Sequence, residues 1–226
     1  MGANFPLSPY NERVLLMLEF FAFLYGLIFG SFFNVVIYRL PLGLSLIEPS
    51  SHCPSCHTKL RPLDLIPVFS WLTLCGRCRY CSDKISAFYP LIELFNGLGW
   101  LLIIKEWGLA PQGIAGAFLF SLALIITMID LKHYLIPNSL VLMLLGGGII
   151  YHFAVPPLSV VDRLIGLAVG LAVPLLLYFI SHGGMGGGDI KLMGAMGFWL
   201  GFPGVLMALF IAALMGSVVE IGRAHV

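Results

Sequence analysis

The stretch 118-FLFSLALIITMID-130, continued as 131-LKHYLIPN-138, decides how this chain folds. No charge interrupts it before Asp130, and Pro137 stands shortly after. An apolar run of this kind belongs in lipid, where a carboxylate is rare and usually faces the bundle interior or a watery cavity. A second aspartate repeats the arrangement: 183-GGMGGGD-189 opens into 190-IKLMGAMGFWLG-201. Gly186 to Gly188 loosen the backbone before Asp189, as Pro137 does after Asp130. Glycine permits positive φ and close backbone approach, whereas proline removes a donor and disfavours helix at Ile136. One such carboxylate is an ordinary solvated helix end. Two with matched surroundings predict a paired acid site, Asp130 with Asp189, built where helices break.

The remaining composition agrees with a membrane setting. Of 226 residues, 59% are hydrophobic and 10% charged, against about 25% charged in a typical soluble domain. The expected fold class is an all-α polytopic membrane protein, surrounded by membrane lipid and with no nucleic-acid partner. A run of about 20 apolar residues spans a bilayer. Six such helices are expected, over 14–38, 88–104, 114–129, 140–155, 164–180 and 202–219. The stretch 190–200 is shorter and glycine-bearing, and reads as the start of a broken or re-entrant segment leading into the last span.

Orientation follows from the basic residues. With the N-terminus outside, the cytosolic side receives Arg39, Lys59, Arg61, Arg77, Arg79, Lys84, Lys132 and Lys191. The outer side receives Arg13, Lys105 and Arg163, with Arg223 left in the tail. That asymmetry favours N-terminus out under the positive-inside rule. Both aspartates then fall at the cytosolic ends of their segments.

Residues 41–86 form the sizeable polar insert and carry CPSC (Cys53, Cys56) and CGRCRYC (Cys75, Cys78, Cys81). Cytosolic thiols stay reduced, so paired CxxC turns predict a structural four-thiolate zinc site. Spacing alone leaves open whether Cys75/Cys78 or Cys78/Cys81 supplies the second pair. A two-disulfide hairpin is the alternative if the loop faces an oxidising compartment. His52 and His57 read as loop residues. The segment LDLIPVFSWLTL is too short to span, and either covers the metal site or lies on the membrane surface.

Five motifs in order resemble the type IV prepilin peptidases, membrane aspartic proteases of the GxGD kind. They are GSFFNVVIYRLP (30–41), the paired-CxxC insert with GRCRYC, YPLIELFNG (89–97), D-x6-P-N from Asp130 to Asn138, and GGGDIKLMGAMG (186–197). The resemblance implies Cys53, Cys56, Cys78 and Cys81 as metal ligands, with Cys75 an extra thiol. It implies cleavage of the basic leader of prepilins and pseudopilins by Asp130 and Asp189, on the cytosolic side of the bacterial inner membrane. It also implies, as in many bacterial members, methylation of the new N-terminus with S-adenosylmethionine. Glu93, inside a span, is a candidate for that methyl-donor site, with structural hydrogen bonding between helices the plainer reading.

The expected organisation is a first span and exit motif (1–40), the zinc-binding loop (41–86), the peptidase core (87–219) and a tail (220–226). Because EIGRAHV is polar and the family continues with further spans, the chain is expected to be C-terminally truncated, with an artefactual tail. A proton-coupled membrane transporter is the alternative reading, since transporters also pair acidic residues with broken helices.

Overall fold

A computed structural model describes residues 9–155, 159–182 and 184–224, with side chains omitted for 9–11 and for part of 215–224. The expected tail falls largely outside the described side chains. The chain divides into two units, Met1–His133 and Tyr134–Val226. Among the described residues, five helices are long and apolar enough to cross a membrane, and Asn138–Ala154 is a shorter apolar helix. Together they make the six helices expected.

The first unit holds α1 (Pro9–Arg39), the short α2 (Phe69–Thr73), α3 (Phe88–Trp107) and α4 (Pro111–His133). At 1.5 Å per residue α1 is about 46 Å long, more than the ~30 Å hydrocarbon core, so it reaches beyond the lipid. Its association with α3 depends on small residues. A Cβ on Gly26 would lie 2.8 Å from Gly97 Cα, and one on Gly30 would lie 2.7 Å from Glu93 Cα. In lipid, where apolar burial gives no driving force between helices, such close approach and interhelical hydrogen bonds hold the bundle. Asn96, fully buried, donates to the Gly26 carbonyl at 2.7 Å and accepts from Ser121 at 3.0 Å. Trp100 in turn donates to Ser121 at 2.8 Å. This network ties α1, α3 and α4.

At the exit of α1, Asn34 donates to the Tyr89 carbonyl (3.1 Å). Arg39 donates to the carbonyls of Ser45 (3.1 Å) and Pro49 (2.6 Å). Both side chains are buried: Asn34 ties α1 to the start of α3, and Arg39 fixes the loop rather than floating in a headgroup layer.

The second unit holds α5 (Asn138–Ala154), α6 (Val160–Ile180) and α7 (Gly187–Ala224). Ser159 caps α6 by accepting the Asp162 N–H at 3.1 Å. The α6–α7 interface again uses glycine: a Cβ on Gly166 would strike the backbone of Gly197 and Gly201, and one on Gly170 that of Met193. Trp199 on α7 donates to the Leu144 carbonyl of α5 at 2.6 Å, with its ring stacked on Tyr151.

The segment 190–200 is, as expected, broken from the last span: it is regular helix from Gly187 onward, and the break comes at Gly201 (φ 70°, ψ −177°). Positive φ at a glycine costs little, and Pro203, two residues on, has no N–H to return to the Trp199 carbonyl. Arg163 fills that gap. Wholly buried, it donates through Nη1 to the carbonyls of Phe198 (3.1 Å) and Trp199 (3.5 Å). Its guanidinium lies over the rings of Tyr151 and Phe198. A cation on the carbonyl end of a helix segment is also favoured by the helix dipole.

Candidate functional site

The insert between α1 and α3 folds around its cysteines. Cys53 N–H donates to Thr58 O (3.0 Å) and His57 N–H to Cys53 O (2.9 Å). The same pattern returns 25 residues later: Cys78 N–H to Asp83 O (2.8 Å) and Ser82 N–H to Cys78 O (3.0 Å). His57 and Ser82 occupy matching positive-φ positions (56° and 60°), and each turn is closed by an isolated bridge, His52 to Lys59 and Arg77 to Lys84. The two turns are copies of one thiol knuckle. In sequence their signal was Cys-x-x-Cys-x-x-Lys repeated, which the reading above passed over.

The knuckles bring together Cys53, Cys56, Cys78 and Cys81, whose Sγ atoms all lie within 4.8 Å of one another. Cys53 Sγ and Cys81 Sγ are 3.8 Å apart, and a tetrahedral site with metal–sulfur bonds of ~2.3 Å has an edge of ~3.8 Å. The donor set therefore fits a tetrahedral metal ion. Cys75 is exposed and outside the cluster, and all five cysteines are free thiols. The LDLIPVFSWLTL segment covers the second knuckle rather than spanning. Trp71 donates to Ile85 O (3.0 Å), while Arg79 (2.6 Å) and Tyr80 (3.0 Å) both donate to Asp64. Ser55 and Asp83 join the two knuckles.

Without a cation the Cys56 and Cys81 thiols titrate far apart. The Thr58 hydroxyl and N–H beside Cys56 hold its thiol down at about 6. The Asp83 N–H pulls Cys81 down, but loss of water and the neighbouring thiols outweigh it and push that thiol up to about 12. Ligation needs thiolates, so among the protons a bound metal displaces is that of Cys81, and below about 6 that of Cys56 as well. Metal affinity should therefore rise with pH across this window and fall away below it. Metal analysis after dialysis on either side of pH ~6 checks this, with loss on the acid side expected. Replacing Cys53 and Cys56 by Ser should remove the metal and unfold the loop, because structural metal binding contributes folding free energy. Cys75→Ser should retain it. Metal lost in Cys75→Ser but kept in Cys81→Ser would reassign the second pair.

Glu93 is buried in α3, and its carboxylate accepts the Val68 N–H of the loop at 2.7 Å. It holds the metal loop to the helices. A separate hollow of about 150 Å³ between α1, α3 and α4, lined by Leu18, Ala22, Trp100 and Ile104 among others, does not include Glu93.

Asp130 lies in the last turn of α4 in the first unit, half-buried. The Lys132 ammonium, two residues on, sits 6.0 and 5.9 Å from the ring centroids of Tyr38 and Phe88. Asp189 is the third residue of α7 in the second unit, also half-buried. Its N–H donates to Gly186 O at 3.1 Å. A Cβ on Gly186 would lie 2.8 Å from Asp189 Oδ2, so a side chain there would displace the carboxylate. Within the second unit, the ends of the two motifs meet. A Cβ on Gly188 would lie 2.9 Å from Ile136 Cβ, and Lys191 Nζ donates to Asn138 Oδ1 at 3.1 Å.

Apolar spanning helices, a four-thiol loop and motif-borne aspartates at helix ends define an integral membrane protein with a stapled polar insert. Residues 24–107 match the Bacterial Peptidase A24 N-terminal domain, and residues 117–221 match the Type IV leader peptidase family. The chain is 37% identical to the prepilin leader peptidase/N-methyltransferase of Aeromonas hydrophila, over 88% of this chain and 79% of that protein. It is 35% identical to the protein of that name from Bacillus subtilis (strain 168), over 86% and 79% respectively. With that of Dickeya chrysanthemi the identity is 37%, over 85% and 78%. No solved structure is a significant match. The chain belongs to the type IV leader peptidase family.

Proposed function

We propose that this protein removes the basic leader from type IV prepilins and pseudopilins at the cytosolic face of the bacterial inner membrane, using Asp130 and Asp189 as a pair. The observation that carries this reading is the meeting of the two motifs inside the second unit, Ile136 and Asn138 with Gly188 and Lys191. It draws the segment following Asp130 onto the helix turn that bears Asp189. The relatives' names supply the substrate class.

Two carboxylates sharing one site cannot both ionise comfortably, so the pair holds one proton. The ionised member takes a proton from water as its oxygen attacks the scissile carbonyl. The protonated member donates to the developing oxyanion, and the leaving amine receives a proton as the C–N bond breaks. Glycine at 186 leaves room for the Asp189 carboxylate over the backbone. Zinc, held by Cys53, Cys56, Cys78 and Cys81, would staple the loop; four thiolates leave no open position for water. The relatives' names also carry an N-methyltransferase activity, for which S-adenosylmethionine would be the methyl donor.

Intact-mass measurement of a prepilin co-expressed with the protein tests the proposal. Loss of the leader is expected, and the same spectrum reports any added methyl group. An unprocessed prepilin, together with proton uptake by vesicles carrying the protein, would favour the transporter reading instead.

A further inference from the structure

We propose that Asn138 and Lys191 form a brace that positions Asp189, which makes both of them positioning residues for leader removal. The inference rests on the reading of Asp130 and Asp189 as the peptidase pair. Asn138 begins α5 and Lys191 lies in the first turns of α7, 53 residues apart in sequence and joined by the 3.1 Å bond from Nζ to Oδ1. On the other side of Asp189, Gly188 packs on Ile136, where even a Cβ would come within 2.9 Å. Asp189 is thus flanked by two contacts to one short segment, the segment that continues the Asp130 motif.

The chemistry of the pair matters as much as its place. Lys191 is directed to a neutral amide, so its ammonium is held by Asn138 rather than spent on a carboxylate. Lysine supplies length and a point charge, and the amide oxygen supplies an acceptor that does not titrate. The brace then acts on geometry. Catalytic groups misplaced by about 1 Å lose about 10²-fold in rate.

The test is leader removal by the full-length protein in membranes, measured as kcat, KM and pH profile. Asn138→Ala and Lys191→Met should each lower kcat by about 10- to 100-fold while KM changes by less than about twofold. The double variant should be no slower than the worse single one, because both remove the same bond. The pH profile should keep its shape, and Lys191→Arg should recover most of the rate. The exchanged pair Asn138→Lys with Lys191→Asn keeps donor and acceptor, and should be faster than either single loss.

Multiplicative losses, or a pH profile displaced by Lys191→Met but not by Asn138→Ala, would overturn the brace in favour of a direct electrostatic role for Lys191. Wild-type rates in both single variants would overturn it outright. If Lys191→Met fails to fold, the Asn138→Ala and exchanged-pair results decide. Asp189→Asn runs alongside: if that variant still cleaves, the peptidase-pair reading has failed. If it is inactive while the brace variants are normal, only the brace has failed.

Discussion

Replacing either Asp130 or Asp189 by Asn is expected to lower leader removal by about 10²–10⁴-fold, the range that positioned proton transfer contributes. Asparagine keeps the size of the side chain but can neither take a proton from water nor hold the shared one. The two losses should be similar, because neither carboxylate replaces the other in a pair that works as a unit. Membrane insertion and metal content should be unchanged in both variants. Asp130 lies at the end of α4, and the Asp189 N–H, not its carboxylate, makes the helix-opening bond to Gly186. Immunoblots of co-expressed prepilin distinguish full-length from processed substrate. Near-normal processing by Asp189→Asn would remove that residue from the chemistry.

Arg163→Ala is expected to give the largest loss of stability of any single substitution in the second unit. Arg163 is 0% exposed and is among the largest fully buried side chains. Truncation would leave a cavity, two carbonyls without their guanidinium, and the rings of Tyr151 and Phe198 without their cation. Large-to-small changes at buried sites cost about 2–5 kcal/mol, and hydrogen bonds from a charged donor contribute about 1.5–3 kcal/mol each. A loss of about 3–5 kcal/mol is expected, since breaking a buried charged contact falls in that range. Arg163→Met separates the two contributions, because methionine restores much of the volume and none of the donors. Its stability should fall between those of wild type and Arg163→Ala in equilibrium unfolding in detergent. A methionine variant as stable as wild type would show that capping the Gly201 break contributes nothing.

What was legible in the sequence was what neighbouring residues encode. Runs of about 20 apolar residues need only length to cross lipid, so the helices could be read directly. The CxxC turns announce a four-thiol cluster locally, but spacing left the second pair open between Cys75/Cys78 and Cys78/Cys81, and only the family resemblance pointed to Cys78 and Cys81. Partnerships across the bundle could not. Arg163 looked like an outer-face charge because nothing near it in sequence announces the orphan carbonyls of Phe198 and Trp199. For Glu93 structural hydrogen bonding was the plainer reading, but its partner, the Val68 N–H, lies 25 residues away in a loop with no regular pattern. The break at Gly201 was legible, because the short segment 190–200 read as broken from the span that begins at 202. What was not legible is that Gly194 and Gly197 serve as the smooth face on which α6 packs. Glycine has two roles here, and only the neighbouring helix distinguishes them.

The pH dependence of kcat/KM for leader removal by the purified protein tests the central claim most directly, since it reports the acid and base of the free enzyme. A pair that shares one proton predicts a bell. Activity should fall on the acid side as the ionised member is protonated, and on the alkaline side as the shared proton is lost. Either aspartate replaced by Asn should abolish the whole bell. A wild-type profile that is flat or has a single limb would contradict the account.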